Sequence, residues 1–479
     1  NNMSERMHFS VKLGSKRDRN HTQVSAKGFA IVMLGSFGGS TGTGNPITES
    51  GPSLHSIETD TLDKKIAKLH PSLTLLGDSG QQITLRFKSL DDFHPDGLLE
   101  QLADYRPVTH ERQMLTSSDH RAEEVSADDE KSDESESQKE TLSRLLGQRP
   151  LSVEQQQESG SSLSNAKQSM IADAVRRLAE NASGTDRSGA SDEPPADTRD
   201  ESDITILLRS VLHNEHFQKL EASWRSVDWL LHSIEPDPSI KCYLLNIRRS
   251  ELKLERSSHS EPTTSSLYRV LRETLERGDL LESSFILIDN HNYGPDREST
   301  KMLDWLGLLM DRFDGTLLAG SASSFLNDQV KSGDSFNTWH TFRKQPSASR
   351  IALLYPEMLL RLPYGSATDP VQSLSFEELS HNWTIDELLW GNPAYAQAVV
   401  LINRWMSEGD TVQASLLTDL PAFTYQSEGE HHLQPCTKLL LNEQQIEQLL
   451  NLGLVPVIGS RNRNTIQLPW FQHLGFSGG

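Results

Sequence analysis

Residues 350–370, RIALLYPEMLLRLPYGSATDP, and residues 388–405, LLWGNPAYAQAVVLINRW, decide how the chain is read. The first opens on an apolar run, residues 351–355, short enough for a buried strand and stopped by Pro356. Leu359, Leu360 and Leu362 follow, then the turn Pro363-Tyr364-Gly365. In the second, Asn392 is placed to cap a helix whose first residue is Pro393. Tyr395, Ala398, Val399, Ile402 and Trp405 recur at helical spacing, so that helix presents an apolar face. Neither segment pairs a nucleophile with a base, and both read as scaffold.

Working outward, further strands are expected at 240–247, 284–289 and 315–320, with helices at about 265–277 and 299–313. Strands alternating with helices imply an α/β layer with a largely parallel sheet. Before them, Ile204, Leu207, Leu208, Val211 and Leu212, then Phe217, Leu220, Trp224, Val227, Leu231 and Ile234 predict one or two amphipathic helices ending at Pro236. His213 and His216 are spaced to ligate a metal but have no partner of matching spacing, so a helix surface is the preferred reading. Asp289 and His291 follow a strand end, and Ser321, Ser323 and Ser324 follow the next, so a Ser/His/Asp triad can be drawn. With 17 histidines and no Gly-x-Ser-x-Gly elbow, chance accounts for that set better than hydrolysis does.

Towards the N-terminus, Phe9, Val11 and Leu13 alternate as on a half-buried strand free to pair elsewhere. Residues 29–34 form a buried-strand run leading into GSFGGSTGTGNP. That loop lacks the Gly-Lys-Ser/Thr of a phosphate loop, so it reads as a plain flexible loop. A short helix (Leu62, Ile66, Leu69) and strands at 73–76 and 83–87 precede Asp91, Asp92, Phe93, His94, Pro95 and Asp96. Three carboxylates and an imidazole so close together could hold a divalent metal. The preferred reading is a capped turn, with Pro95 opening a helix and acidic groups complementing its dipole.

Hydrophobic residues make up 35% of the 479-residue chain, and 67 acidic groups against 46 basic ones leave a formal charge of −21. The mean hydropathy is −0.52. This balance argues against a general nucleic-acid or anionic-membrane binder. Two cysteines imply no disulfide framework and suit a reducing compartment. The apolar run at 29–34 is too short for a signal or a membrane span, so a soluble intracellular protein is expected. Residues 117–202, with ADDEKSDESESQKE, are expected to form a disordered acidic linker. Two islands interrupt it: TLSRLLGQ at 141–148, and residues 165–181, whose Met170, Ile171, Ala174, Val175 and Leu178 predict a docking helix.

Two resemblances follow. FAIVMLGSFGG and ITLRFKSLDDFHPDGLLEQL are similar to the small subunit of the type VI secretion contractile sheath, over about residues 6–116. From about 204 to 410 the chain resembles the large sheath subunit, in that subunit's order. FQKLEASWRSVDWLL and SFILIDNHNYG come first, then Trp339, Phe342 and Arg343 with Arg350. Arg361, Pro363, Tyr364 and Gly365 follow, then SFEEL, and Trp390, Gly391 and Asn392 with Tyr395. TLSRLLG, with Leu142, Leu145 and Leu146, resembles the start of that subunit, where a recycling AAA+ unfoldase engages in the family.

The resemblance implies an α/β (α+β) architecture: two sheath-like α/β domains with mixed sheets, at 1–116 and 203–479, joined by the disordered acidic linker 117–202. It implies other sheath subunits, baseplate or inner-tube proteins as partners, a bacterial cytoplasmic location, and no cofactor, metal, nucleic acid or membrane insertion. In the family the large subunit continues into a region supplying inner-layer strands, whereas this sequence reaches QHLGFSGG after residue 471. The resemblance therefore admits a fused sheath subunit or a sheath-derived accessory protein that caps, nucleates or regulates. A hydrolase and an effector adaptor acting through residues 165–181 are the rival classes.

Overall fold

Every residue of β1 (Phe29–Gly35) is buried. In the computed structural model this strand lies between β5 (Ile240–Asn246) and β6 (Ser284–Tyr293), parallel to both. Ile31 is in register with Cys242 on one side and Ile286 on the other. Residues 28–39, 52, 54–76, 82–102, 196–326, 334–380, 382–406, 415–427 and 430–475 are described. Phe9, Val11, Leu13, Leu142, Leu145, Leu146, the helix expected at 165–181 and most of the linker lie outside them.

Among the described residues the sheet has seven strands. Beyond β6 come β7 (Thr316–Ser321), β8 (Ile351–Tyr355) and the short strand Val455–Pro456, all parallel. Beyond β5 comes β2 (Leu54–Ile57), antiparallel, so the sheet is mixed as expected. A parallel sheet must be covered on both faces, and the alternation along β1 does this. Phe29, Ile31 and Met33 enter one apolar cluster, and Ala30, Val32 and Leu34 enter the other.

The first cluster is covered by α3 (Ala196–Leu212), α4 (Glu215–Ser233) and α9 (Ala394–Met406). It also takes in α1 (Leu62–Leu69), the hairpin of β3 (Ser72–Leu76) and β4 (Gln82–Arg86), and α2 (Pro95–Leu102). The second is covered by α5 (Arg249–Ser258), α6 (Ser266–Arg277), α7 (Arg297–Phe313), α8 (Asp334–Phe342) and α10 (Glu443–Asn451). Sequence periodicity anticipates α1, α2, α3, α4, α6, α7 and α9 and passes over α5, α8 and α10. Asn392 does cap α9, its Oδ1 accepting from the Ala394 N–H at 2.9 Å.

The two stretches with sheath resemblance meet in this one sheet. The Trp405 ring of α9 packs edge-on against Phe29 at 5.5 Å. Trp224 of α4 donates its indole N–H to the Phe37 carbonyl at 3.1 Å. The described parts of 1–106 and 199–479 belong to one compact unit. Strand β6 runs past the expected end at 289, because pairing with β7 resumes at Asn292↔Gly320 after an irregularity. The polar run Asn290-His291-Asn292 hides that extension from a reading based on hydropathy.

Candidate functional site

The most demanding arrangement in the molecule is a buried ion network centred on Arg361. The amphipathic stripe of α4 runs Phe217, Leu220, Trp224 and Val227, and Glu221 falls within it with no exposed surface. Arg361 Nε donates to Glu221 Oε1 at 2.8 Å, and Nη1 donates to Glu378 Oε2 at 2.7 Å. Arg225, one turn along α4, donates to Glu221 at 2.7 Å and to the Tyr364 hydroxyl at 2.8 Å. The Arg361 guanidinium also lies over the Tyr364 ring, 4.0 Å from its centroid, and the Tyr364 N–H donates to Glu378 at 2.7 Å.

Burial alone would lift the Glu221 carboxyl, but Arg361 and Arg225 outweigh it and hold the group below its ordinary range. Burial likewise works against the Arg361 cation, and Glu221 and Glu378 overcome it. The Tyr364 hydroxyl is pushed up, chiefly by burial. Taking such charges out of water costs several kcal/mol each, which is recovered only when every lone pair and proton finds a partner. Here the fork of Arg361 is filled on both sides.

Residues 89–96 dock beside this network. Asp96 accepts from the backbone N–H groups of Gln372 at 3.1 Å and Ser373 at 2.9 Å. The His94 ring meets the Tyr364 ring edge-on at 4.8 Å, and its Nε2 is 3.8 Å from Asp369. Phe93 stacks on Phe87 at 4.1 Å, and both rings pack on Phe217 of α4. Asp91 accepts through its carbonyl from the His94 N–H, and the Asp92 carboxylate accepts from the Lys88 and Ser89 N–H groups. Pro95 opens α2 and is buried. The Asp92 and Asp96 carboxylates therefore serve the backbone. Among the described residues no group of three or more His, Cys, Asp and Glu is placed to hold a metal.

The other motif residues tie separate segments together. Trp339 donates its indole N–H to the Leu452 carbonyl at 3.0 Å, with Phe342 buried beside it. Arg343 donates to Leu474 at 2.8 Å and Asn451 at 2.7 Å, and Arg350 pairs with Asp314 at 2.6 Å. Pro363 accepts from the Thr368 hydroxyl, and Gly365 donates to the Asp369 carbonyl at 2.8 Å. Trp390 donates to Ile385 at 2.7 Å, and Gly391 leaves room for the Leu360 side chain. Asn392 Nδ2 donates to the Asp289 carbonyl at 3.0 Å, while Tyr395 donates to Asn290 Oδ1 at 2.6 Å.

At the ends of β5, β1 and β6 a cleft opens, lined in part by His213, Arg249, Asn290, His291 and Asn392. Asp289 is fully buried at its base, 2.6 Å from His291 Nδ1 and accepting from the Tyr293 hydroxyl at 2.5 Å. Burial would raise the Asp289 carboxyl, and His291, Tyr293 and Arg249 reverse this. The Asp/His pair of the hydrolase reading therefore exists. Ser321, however, is buried and donates to the Leu354 carbonyl at 3.1 Å. Its hydroxyl is engaged in bracing β7 against β8.

Sequence reasoning passed over Glu221, Arg225, Glu378 and Arg249. For Glu221 the signal was present: a carboxylate at the i+4 position from Phe217 and i−3 from Trp224 lies inside an apolar stripe. Arg249 left no such mark, because the helix it opens is polar along most of its length.

Residues 200–276 and 322–469 match the VipB family, described as the EvpB/VC_A0108 tail sheath N-terminal domain. The chain is also similar to the type VI secretion system sheath protein TssC1 of Pseudomonas aeruginosa, at 23% identity over 283 residues. That alignment takes in 54% of this chain and 56% of the relative, so the chain spans about half the length of the curated relative it matches. The matched segments contain α4 with Glu221 and Arg225, the Arg361 loop with Glu378, and Asn392 with α9. Residues 200–276 and 322–469 thus carry the tail-sheath N-terminal domain, and over about half its length the chain is similar to a type VI secretion sheath protein.

Proposed function

We propose that this chain is a fused sheath subunit, in which residues 1–116 act as the small subunit and 203–479 as the large one, with 117–202 as the acidic tether. It takes part in sheath assembly or contraction, and its partners are other sheath subunits together with baseplate or inner-tube proteins. A recycling AAA+ unfoldase is a further partner, through Leu142, Leu145 and Leu146. The work is mechanical rather than catalytic and is done in the bacterial cytoplasm. No helix among the described residues is long and apolar enough to cross a membrane.

The observation that carries this reading is the position of β1 between β5 and β6. A segment that supplies an interior strand of a sheet is a structural part of the unit, and a tether keeps it at high local concentration. Electron microscopy of the purified chain, alone and with ordinary sheath subunits, tests it. Tubes containing the chain support the fused-subunit reading, and decoration confined to one end assigns it instead to an accessory cap or baseplate part. A chain that stays solitary with every sheath, tube and baseplate component overturns both. Deleting residues 6–13, with Phe9, Val11 and Leu13, is expected to abolish assembly by removing the strand offered to a neighbour.

A further inference from the structure

The cleft at the carboxyl ends of β5, β1 and β6 has a volume of about 1220 Å³. In parallel sheets this edge is where ligands are held, because the loops there are free to vary while the strands stay rigid. Its cations are mostly spoken for. Lys219 pairs with Glu215, Arg248 with Glu251 at 2.7 Å, and Lys438 with Asp386 at 2.8 Å. Arg249 helps to hold the buried Asp289 carboxyl ionised, yet one of its nitrogens is left over. Its Nη1 is buried without a hydrogen-bond partner among the described residues, and so is Nδ2 of Asn290 on the neighbouring strand end. His213 Nε2, also in the lining, has no hydrogen bond and only a distant carboxylate, Glu378 at 3.8 Å.

We propose that this cleft binds a small oxyanion, the phosphate or carboxylate group of a soluble ligand, with Arg249 as its charged anchor and Asn290 as a second donor.

Folded chains leave few buried donors unsatisfied, and two in the lining of one cleft point to an acceptor that the chain itself does not supply. The guanidinium is held for the task. Its carbon lies 4.4 Å from the centroid of the Tyr293 ring, and the Tyr293 hydroxyl is fixed by its bond to Asp289 at 2.5 Å. Asp289 is the obvious internal competitor for Arg249. It attracts the Arg249 charge, but its Oδ1 accepts from the His291 ring at 2.6 Å and its Oδ2 from Tyr293, and Arg249 Nη1 bonds to neither oxygen. A planar guanidinium held in place offers its unpartnered nitrogen to an oxyanion in a fixed direction, which a lysine ammonium on a flexible stem reproduces poorly.

Titration calorimetry with inorganic phosphate on the full chain is the test, with chloride at matched ionic strength as the blank and acetate as the carboxylate probe. Saturable binding of phosphate or acetate is expected, weakened by about tenfold or more in Arg249→Met and several-fold in Asn290→Ala. Arg277→Met, at the exposed end of α6 and outside the cleft lining, is expected to leave it unchanged. Circular dichroism checks that each variant is folded. Should Arg249→Met fail to fold, Arg249→Lys keeps the charge and loses the fork, and is expected to bind phosphate more weakly. No saturable binding of either probe by the natural chain, or unchanged affinity in the folded Arg249 and Asn290 variants, overturns the proposal. The outcome does not depend on whether the chain assembles into a sheath.

Discussion

Arg361 Nε lies 2.8 Å from Glu221 Oε1, and both side chains are buried although 140 residues separate them. This contact fastens the loop after β8 to the middle of α4, and Glu378 closes the far side of the same guanidinium. Arg361→Met would leave Glu378 buried without its guanidinium and Glu221 with Arg225 alone. Such a loss is expected to cost about 3–5 kcal/mol, measured by urea denaturation. Adding Glu221→Leu and Glu378→Leu to that variant should recover part of the loss. A triple variant no more stable than Arg361→Met would show that the carboxylates were never the source of the penalty.

The place of β1 makes a second prediction. With a protease site introduced near residue 150 and cut, residues before and after the cut should stay together through native gel filtration and separate only in denaturant. Strand β1 is hydrogen-bonded on both edges and buried on both faces, so cutting the tether removes none of these contacts. Fragments that part under native conditions would contradict this.

Gly307 on α7 faces the turn Pro346–Arg350, and a Cβ there would stand 2.5 Å from the Ser347 carbonyl oxygen. A helix interior ordinarily gains from Gly→Ala. Here Gly307→Ala should instead destabilise by about 1–3 kcal/mol, because backbone cannot yield as a flexible side chain can. The midpoint of thermal unfolding reads the sign directly.

His473 governs part of the acid response. Burial, aided by Arg350, lowers its pKa to about 4 from 6.5. The neutral imidazole is what the fold accepts, so the stabilisation is complete above pH 6.5 and is lost as pH falls towards about 4. Over that window His473 should account for a loss of up to roughly 3 kcal/mol. His473→Gln should flatten the stability profile between pH 6.5 and 4.5, where most carboxylates have yet to protonate. An unchanged slope would assign the acid sensitivity to His213 and His55, whose pKa values burial also lowers.

The hydrolase reading yields to one variant. His291→Ala breaks the contact with Asp289 at 2.6 Å and should leave assembly intact, with the melting temperature lowered by a few degrees at most. Loss of a measurable hydrolytic turnover in that variant would establish an enzyme in place of the mechanical role.

The sequence by itself determined the local elements. The run at 351–355, the cap at Asn392, the stripe of α4 and the helix opened by Pro95 can all be read from neighbours a few residues apart. Periodicity and capping are local properties, and the sheath resemblance rests on short strings that local packing constrains. Tertiary structure alone decided which strands pair. Nothing in FAIVMLG says that its two edges will be taken by residues 240–246 and 284–289, because a buried strand carries the same apolar pattern whichever neighbours it finds. The same holds for Glu221 with Arg361 and for Arg249 with Asn290. A charge records its own cost in the sequence, and its partner is known only once the chain has closed around it.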